Sequence, residues 1–212
     1  PRYPIPDTPS SPPPDTRYPI PRPRLPPIPD TRYPVLAYVA AMSPPEPPLQ
    51  SPIREKIRWA NQAHHHLAAA VASDRPAAEL LGRLEIALER SRAATAAAGM
   101  GRICSACELE EGGSCCGEGL EDRYDGRLLL VNRLLGIALP ERRLLPARCY
   151  FLARTGCLLR ARQVICVNFL CEKLAGSIEP HRLVGIRETE GEELQTLFWL
   201  HDRLMRIVGE AE

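Results

Sequence analysis

Eight cysteines lie between Cys104 and Cys171, spaced Cys104-x2-Cys107-x7-Cys115-Cys116-x32-Cys149-x7-Cys157-x8-Cys166-x4-Cys171. Thiolate sulfur is a soft ligand, and zinc and iron-sulfur centres each close at four such ligands, so eight cysteines furnish two centres. Cys104-Ser105-Ala106-Cys107 is the conventional element, because the two intervening positions let both sulfurs converge on one ion. Four cysteines crowded between Cys104 and Cys116, with Gly112, Gly113 and Gly117 among and beside them, give a backbone free to wrap an ion. Vicinal Cys115 and Cys116 do not easily bridge to each other, since disulfides suit Cα separations of about 4.4–6.8 Å, whereas a metal tolerates such neighbours. Each half of the set holds four soft ligands. Which cysteines share an ion stays open, because the vicinal pair can serve two centres. Disulfides and buried or redox-active thiols are the competing readings, and Cys166 and Cys171, flanked by Val164, Ile165, Val167, Phe169 and Leu170, also read as core.

At these residues the sequence resembles the zinc- or iron-chelating proteins of the CxxCxxCC cysteine-cluster type. Cys149-Tyr150-Phe151-Leu152, Gly156-Cys157-Leu158-Leu159, Arg162, Cys166, Phe169 and Cys171 follow that family's order. The eponymous cluster departs from it: Cys107 is separated from the vicinal pair by seven positions instead of two, and Gln163 stands where a proline is expected. The resemblance spans Cys104 to Cys171, roughly a third of the chain, and implies metal chelation without specifying a reaction. Two functions follow, a zinc- or iron-binding protein whose ions hold a loop-rich segment against a helical frame, and an iron-sulfur protein, with a 4Fe-4S cluster, acting in electron transfer or as a redox enzyme.

Other chemistry has less support. His64-His65-His66 are consecutive, so on a helix they point about 100° apart and cannot share one chelating face. His64 lies on an apolar stripe and His201 in an equivalent place on the last helix, while His181 follows Pro180 in a loop. Glu108, Glu110, Glu111, Glu118, Glu121, Asp122 and Asp125 read as a solvated acidic loop, and Arg148, Arg154, Arg160 and Arg162 either compensate thiolate charge or are surface. The chain contains no Gly-x-Ser-x-Gly elbow, His-Glu-x-x-His pair or phosphate loop, so no acid, base or nucleophile is assigned.

The elements that must position the cysteines are helices. Ile53, Ile57, Ala60, His64, Leu67 and Val71 mark one helical face. Asp74 is placed to cap a second helix, with Pro76 in its first turn and Leu81, Leu84 and Leu88 continuing the stripe to about Ala98. Together they predict an antiparallel hairpin. A third helix covers Arg127 to Leu135 and stops at Gly136. A last helix starts near Glu192, with Leu194, Leu197, Phe198, His201, Leu204, Met205 and Val208 facing inward and Glu193 and Arg203 outward. The stretch from Arg102 to Gly126 has no period, which puts the first four cysteines in loops. The predicted fold is mainly α with a loop-rich cysteine segment, a helical hairpin packed on a small metal-binding domain.

Proline bounds that domain. Of 23 prolines, 19 fall between Pro1 and Pro52, so residues 1–52 read as a disordered or polyproline segment and linker, and residues 53–212 as the folded unit. Arg2-Tyr3-Pro4-Ile5-Pro6 returns at Arg17 and, decayed, at Arg32, an even spacing that marks a repeat. The repeat is read either as a docking element for a protein partner or, for residues 1–41, as an untranslated stretch ahead of a true start at Met42. Lys and Arg number 27 against 26 Asp and Glu, which leaves no field for nucleic acid, and no run approaches the roughly 20 apolar residues that span a bilayer. The apolar run Val35 to Met42 follows the whole proline-rich repeat from Pro1 to Pro34, unlike a signal peptide. A reducing cytoplasm is the expected compartment, where thiols favour metal over disulfides.

Overall fold

A computed structural model describes residues 45–110 and 115–209. The repeat, the Met42 start and the docking reading lie outside the described residues.

Helix α1 (Ile53–Ser73) starts after Pro52, and its buried Ile53, Ile57, Trp59, Ala60, Ala63, Leu67 and Val71 recur at threes and fours. Asp74 closes α1 and opens α2 (Arg75–Ala97), its side chain accepting from the Ala77 N–H at 2.9 Å while Pro76 occupies the first turn, where a missing N–H costs nothing. Gly99, at φ +72, turns the chain into α3 (Met100–Glu110). A single 3-10 turn, Leu120–Arg123, precedes α4 (Gly126–Leu134), whose N-cap Asp125 accepts from the Leu128 N–H and which ends before Gly136 at φ +80. Two-residue strands β1 (Leu152–Ala153) and β2 (Gly156–Cys157) pair antiparallel, with Leu152 opposite Cys157. Short helices α5 (Val164–Asn168) and α6 (Glu172–Ser177) lead into the long α7 (Pro180–Gly209).

The molecule is mainly helical, as expected, and the hairpin is split between partners: α2 packs most extensively on α7, and α1 on α4. At the second contact the helices approach so closely that a Cβ on Gly126 would sit 2.5 Å from the Trp59 ring. The main core joins α1, α2, α4 and α7 to Tyr124 and to Cys149–Leu152, Leu159 and Ala161. The cysteine segment and the helices therefore share one core, and no separate small domain is seen among the described residues. A second, smaller cluster of Leu174, Ile178 and Ile186 packs on the ends of α2 and α3.

Four expectations need correction. The first cysteines are not all in loops: Cys104 and Cys107 ride on α3, where Ala106 and Glu108 favour a helix too short to show a period. Helix α7 begins at Pro180, well before the expected start at Glu192, because Gly185 and Gly191 interrupt its apolar pattern without breaking the helix. Its buried stripe is Glu193, Thr196, Leu197, Leu200, Leu204 and Ile207, while Phe198 is 69% exposed and Met205 is also exposed. Two overlapping apolar stripes run along this helix, and contact with α2 selects the one containing Leu200 and Ile207. Finally, ordered contacts begin before Ile53: Glu46, in the expected linker, accepts from the Arg127 N–H at 3.0 Å and pairs with its guanidinium.

Candidate functional site

The cysteine segment has little regular structure, so buried polar side chains hold its backbone in place. Asn132 on α4 is wholly buried; its Nδ2 donates to Leu128 O and Ala161 O, and its Oδ1 accepts from the Arg160 and Ala161 N–H groups, all between 2.9 and 3.1 Å. Every hydrogen-bonding direction of that amide finds a partner, which fixes the chain between Cys157 and Cys166. Arg92 on α2 donates to Leu159 O at 2.8 Å. Lys56 on α1, also wholly buried, donates to Asp122 O at 2.9 Å; burial lowers its pKa and the Asp122 and Asp125 carboxylates oppose that shift. The Arg143 guanidinium pairs with buried Glu121 and with Glu118 and donates to Arg148 O, while Arg148 pairs with Glu108 of α3 at 2.5 Å. Glu108 and Glu121 are thus structural partners and not part of a solvated loop, while Glu118 stays exposed as expected; the pairing was hidden in the sequence because the arginines lie far along the chain.

This scaffold brings the two cysteine halves together. The Cys149 N–H donates to Cys116 O at 2.9 Å, and Gly117 and Arg148 form an antiparallel bridge alongside. Tyr124, buried and stacked edge-on against Phe151 at 5.2 Å, donates its hydroxyl toward Cys166 Sγ at 3.8 Å and accepts from the Gln163 N–H at 3.3 Å. Cys104 packs with Cys171, the residue that opens α6, against the second core cluster. No disulfide joins any of the eight cysteines, all of which lie among the described residues.

The thiols differ in acidity. Cys115 donates a hydrogen bond to Cys116, which lowers the Cys116 pKa against the opposing effects of burial and the Cys157, Cys149 and Cys166 thiolates, and raises that of Cys115. Burial pushes Cys149 up to about 11 and also raises Cys104, Cys157 and Cys166. Arg162 opposes the rise at Cys104, Cys157 and Cys166, and its own Nε is buried without a hydrogen-bond partner among the described residues. Glu193 is 0% exposed, contrary to its expected outward position; burial raises its pKa, and neither of its oxygens makes a full hydrogen bond among the described residues.

The histidines join no metal-holding cluster among the described residues. His201 Nε2 meets Asp125 Oδ2 at 3.1 Å beside a shallow groove that no cysteine lines. His64 is half-buried, its pKa lowered by burial and by Arg133 and His65, and His181 is exposed beside Glu179. His181 sits in the first turn of α7 and not in a loop.

No family model, curated protein or solved structure matches the chain.

The donor set suits a thiophilic metal: soft sulfur, apolar walls from Tyr124 and Phe151, and a guanidinium to offset thiolate charge. With the side chains as they stand, no three His, Cys, Asp or Glu groups among the described residues converge closely enough to hold an ion. No described helix is long and apolar enough to cross a membrane.

Proposed function

We propose that this chain is a cysteine-cluster metal-binding protein that takes zinc or iron through Cys104, Cys107, Cys115, Cys116, Cys149, Cys157, Cys166 and Cys171, in the reducing environment of the cytoplasm. One observation carries the reading: Cys116 meets Cys149 backbone to backbone although the whole stretch from Gly117 to Arg148 separates them, inside a segment otherwise poor in regular structure. A bound ion would cross-link that segment, and its binding free energy would then be folding free energy. An iron-sulfur cluster serving electron transfer or redox catalysis is the second reading, favoured by the Tyr124–Phe151 wall and the Tyr124 hydroxyl on Cys166, since apolar cover and hydrogen bonds to sulfur tune such clusters.

Anaerobic purification of the full chain, followed by an absorption spectrum and elemental analysis, tests both readings. Stoichiometric zinc in a colourless protein supports the first. Iron with acid-labile sulfide and a brown colour supports the second. Absence of both metals refutes the proposal.

A further inference from the structure

We infer that the face of α1 carrying Arg54 and Arg58 forms, with Tyr150 and the turn after α4, a binding site for a small phosphorylated molecule that also bears hydroxyl groups. The site is independent of the metal-binding proposal, since no cysteine lines it.

Arg54, Ile57, Arg58 and Asn61 recur at threes and fours and so share one face of α1. Beside that face runs the turn after α4, held by the Ile137 N–H on Asn132 O at 2.9 Å, by the Arg133 guanidinium on Ile137 O at 2.8 Å and by Leu139 in the main core. This anchoring places Pro140 and Glu141 along the helix, and Tyr150 completes the walls of a cleft of about 340 Å³. Small-molecule pockets usually measure ~300–1,000 Å³.

The polar side chains that line the cleft are left without partners. Arg54 and Arg58 meet no carboxylate, and Asn61 makes no side-chain hydrogen bond, among the described residues. Tyr150 is 4% exposed, yet its buried hydroxyl has no hydrogen-bond partner there either. Buried Asn132 and Lys56, by contrast, are both hydrogen-bonded. Arg143, whose guanidinium lies 5.8 Å from the centre of the Tyr150 ring, is already committed to Glu118 and Glu121. Like charges four residues apart on a helix repel each other, and a buried hydroxyl without a partner is costly. The fold bears both costs in one cleft, and a bound anion relieves both.

The donors select the ligand. Two guanidinium forks and a phenolic O–H all donate, and a phosphate monoester offers a double negative charge and three oxygens to receive them. Asn61 and Glu141 supply acceptors, which suit hydroxyl groups on the rest of the molecule. Ile57 and Pro140 give its carbon skeleton an apolar wall.

The test titrates the full chain, labelled with ¹⁵N, with glycerol 3-phosphate at constant ionic strength. Saturable shifts of the amide resonances should centre on residues 54–61, 141 and 150, and the melting temperature should rise with ligand concentration. Glycerol alone should do neither, and inorganic phosphate should shift the same amides with lower affinity; equal affinity would sink the assigned hydroxyl contacts. Shifts of the same size around Arg75 and Arg90, exposed on α2, would show general attraction of anions and overturn the site. Arg54→Gln/Arg58→Gln removes both cations from exposed positions and should abolish the shifts while circular dichroism stays unchanged. Tyr150→Phe keeps the ring and should weaken binding about tenfold, as expected for a lost hydrogen bond to a charged group. Wild-type affinity in the arginine double variant, or no saturable shift in the wild type, refutes the inference; the wild-type titration needs no variant to fold.

Discussion

The helical frame and the cysteine segment are stabilised by different means within one molecule. In the frame, α1, α2, α4 and α7 present long apolar stripes to one another, and residues such as Leu67, Leu84, Leu88, Leu129, Leu200 and Leu204 are fully buried. In the segment from Cys115 to Ser177, the described elements are a 3-10 turn, two very short strands, the short helices α5 and α6, and α4, which belongs to the frame. Its backbone is held by single side chains, Asn132, Arg92, Lys56 and Arg143, that reach in from the frame or across the loop. Apolar packing tolerates small shifts and is spread over many contacts. Point hydrogen bonds are few, and each one lost leaves a buried group unsatisfied. A segment built in the second way has the most to gain from a metal cross-link.

The largest expected difference between the regions comes from metal removal. Structural zinc contributes on the order of 10 kcal/mol in small thiolate sites, and here that contribution should fall on the segment. Chelation should leave the helical circular dichroism close to its starting value while amide hydrogen exchange accelerates from Cys149 to Cys171. Uniform acceleration across α1 and α2 would show that the regions are one cooperative unit. Leu84→Ala attacks the frame itself: the side chain is 0% exposed, and its truncation should cost about 2–5 kcal/mol, with α2 and α7 destabilised together in chemical denaturation.

Asn132→Ala strikes the join. It leaves the Arg160 and Ala161 N–H groups without their acceptor and should cost about 3 kcal/mol, as expected for buried groups left unsatisfied. Exchange at residues 159–161 should rise far more than exchange in α1; equal changes in both would contradict the assignment of Asn132 as a local clamp. The smallest effect is expected at Asp74, where an N-cap worth about 1 kcal/mol combines with a partly exposed Arg203 pair of about 1 kcal/mol. Burial raises the Asp74 pKa, but the Arg203 hydrogen bond, the Ala77 N–H and the Arg203 charge together bring it below the ordinary 3.8. Ionised Asp74 thus favours the folded state, with full effect above pH 3.8 and a loss as pH falls through the lower folded value. The deficit of Asp74→Ala, about 2 kcal/mol at pH 7, should shrink in urea titrations carried out below pH 3.8. A deficit independent of pH would assign it to helix propensity.

Much of the frame was legible in the chain because its signals are local. The stripe from Ile53 to Val71, the Asp74 cap with Pro76 beside it, and the stop at Gly136 each depend on residues a few positions apart, and all three stand in the structure. The cysteine spacing points to a ligand chemistry that stands as a proposal. What the chain left undetermined depends on distant partners. Phe198 and Leu200 are equally good core residues on α7, and only the docking of α2 decided that Leu200 goes in and Phe198 stays out. Glu193 entered the interior by the same rotation, against its charge. The pairing of Cys116 with Cys149 has the same origin: sequence places Cys116 beside Cys115, and only the folded chain brings the N–H of the distant Cys149 to its carbonyl. Periodicity and ligand type are properties of neighbouring residues and can be read in one dimension. Which of two apolar stripes is buried, and which distant backbone groups pair, are decided by contacts that form only when the chain closes on itself.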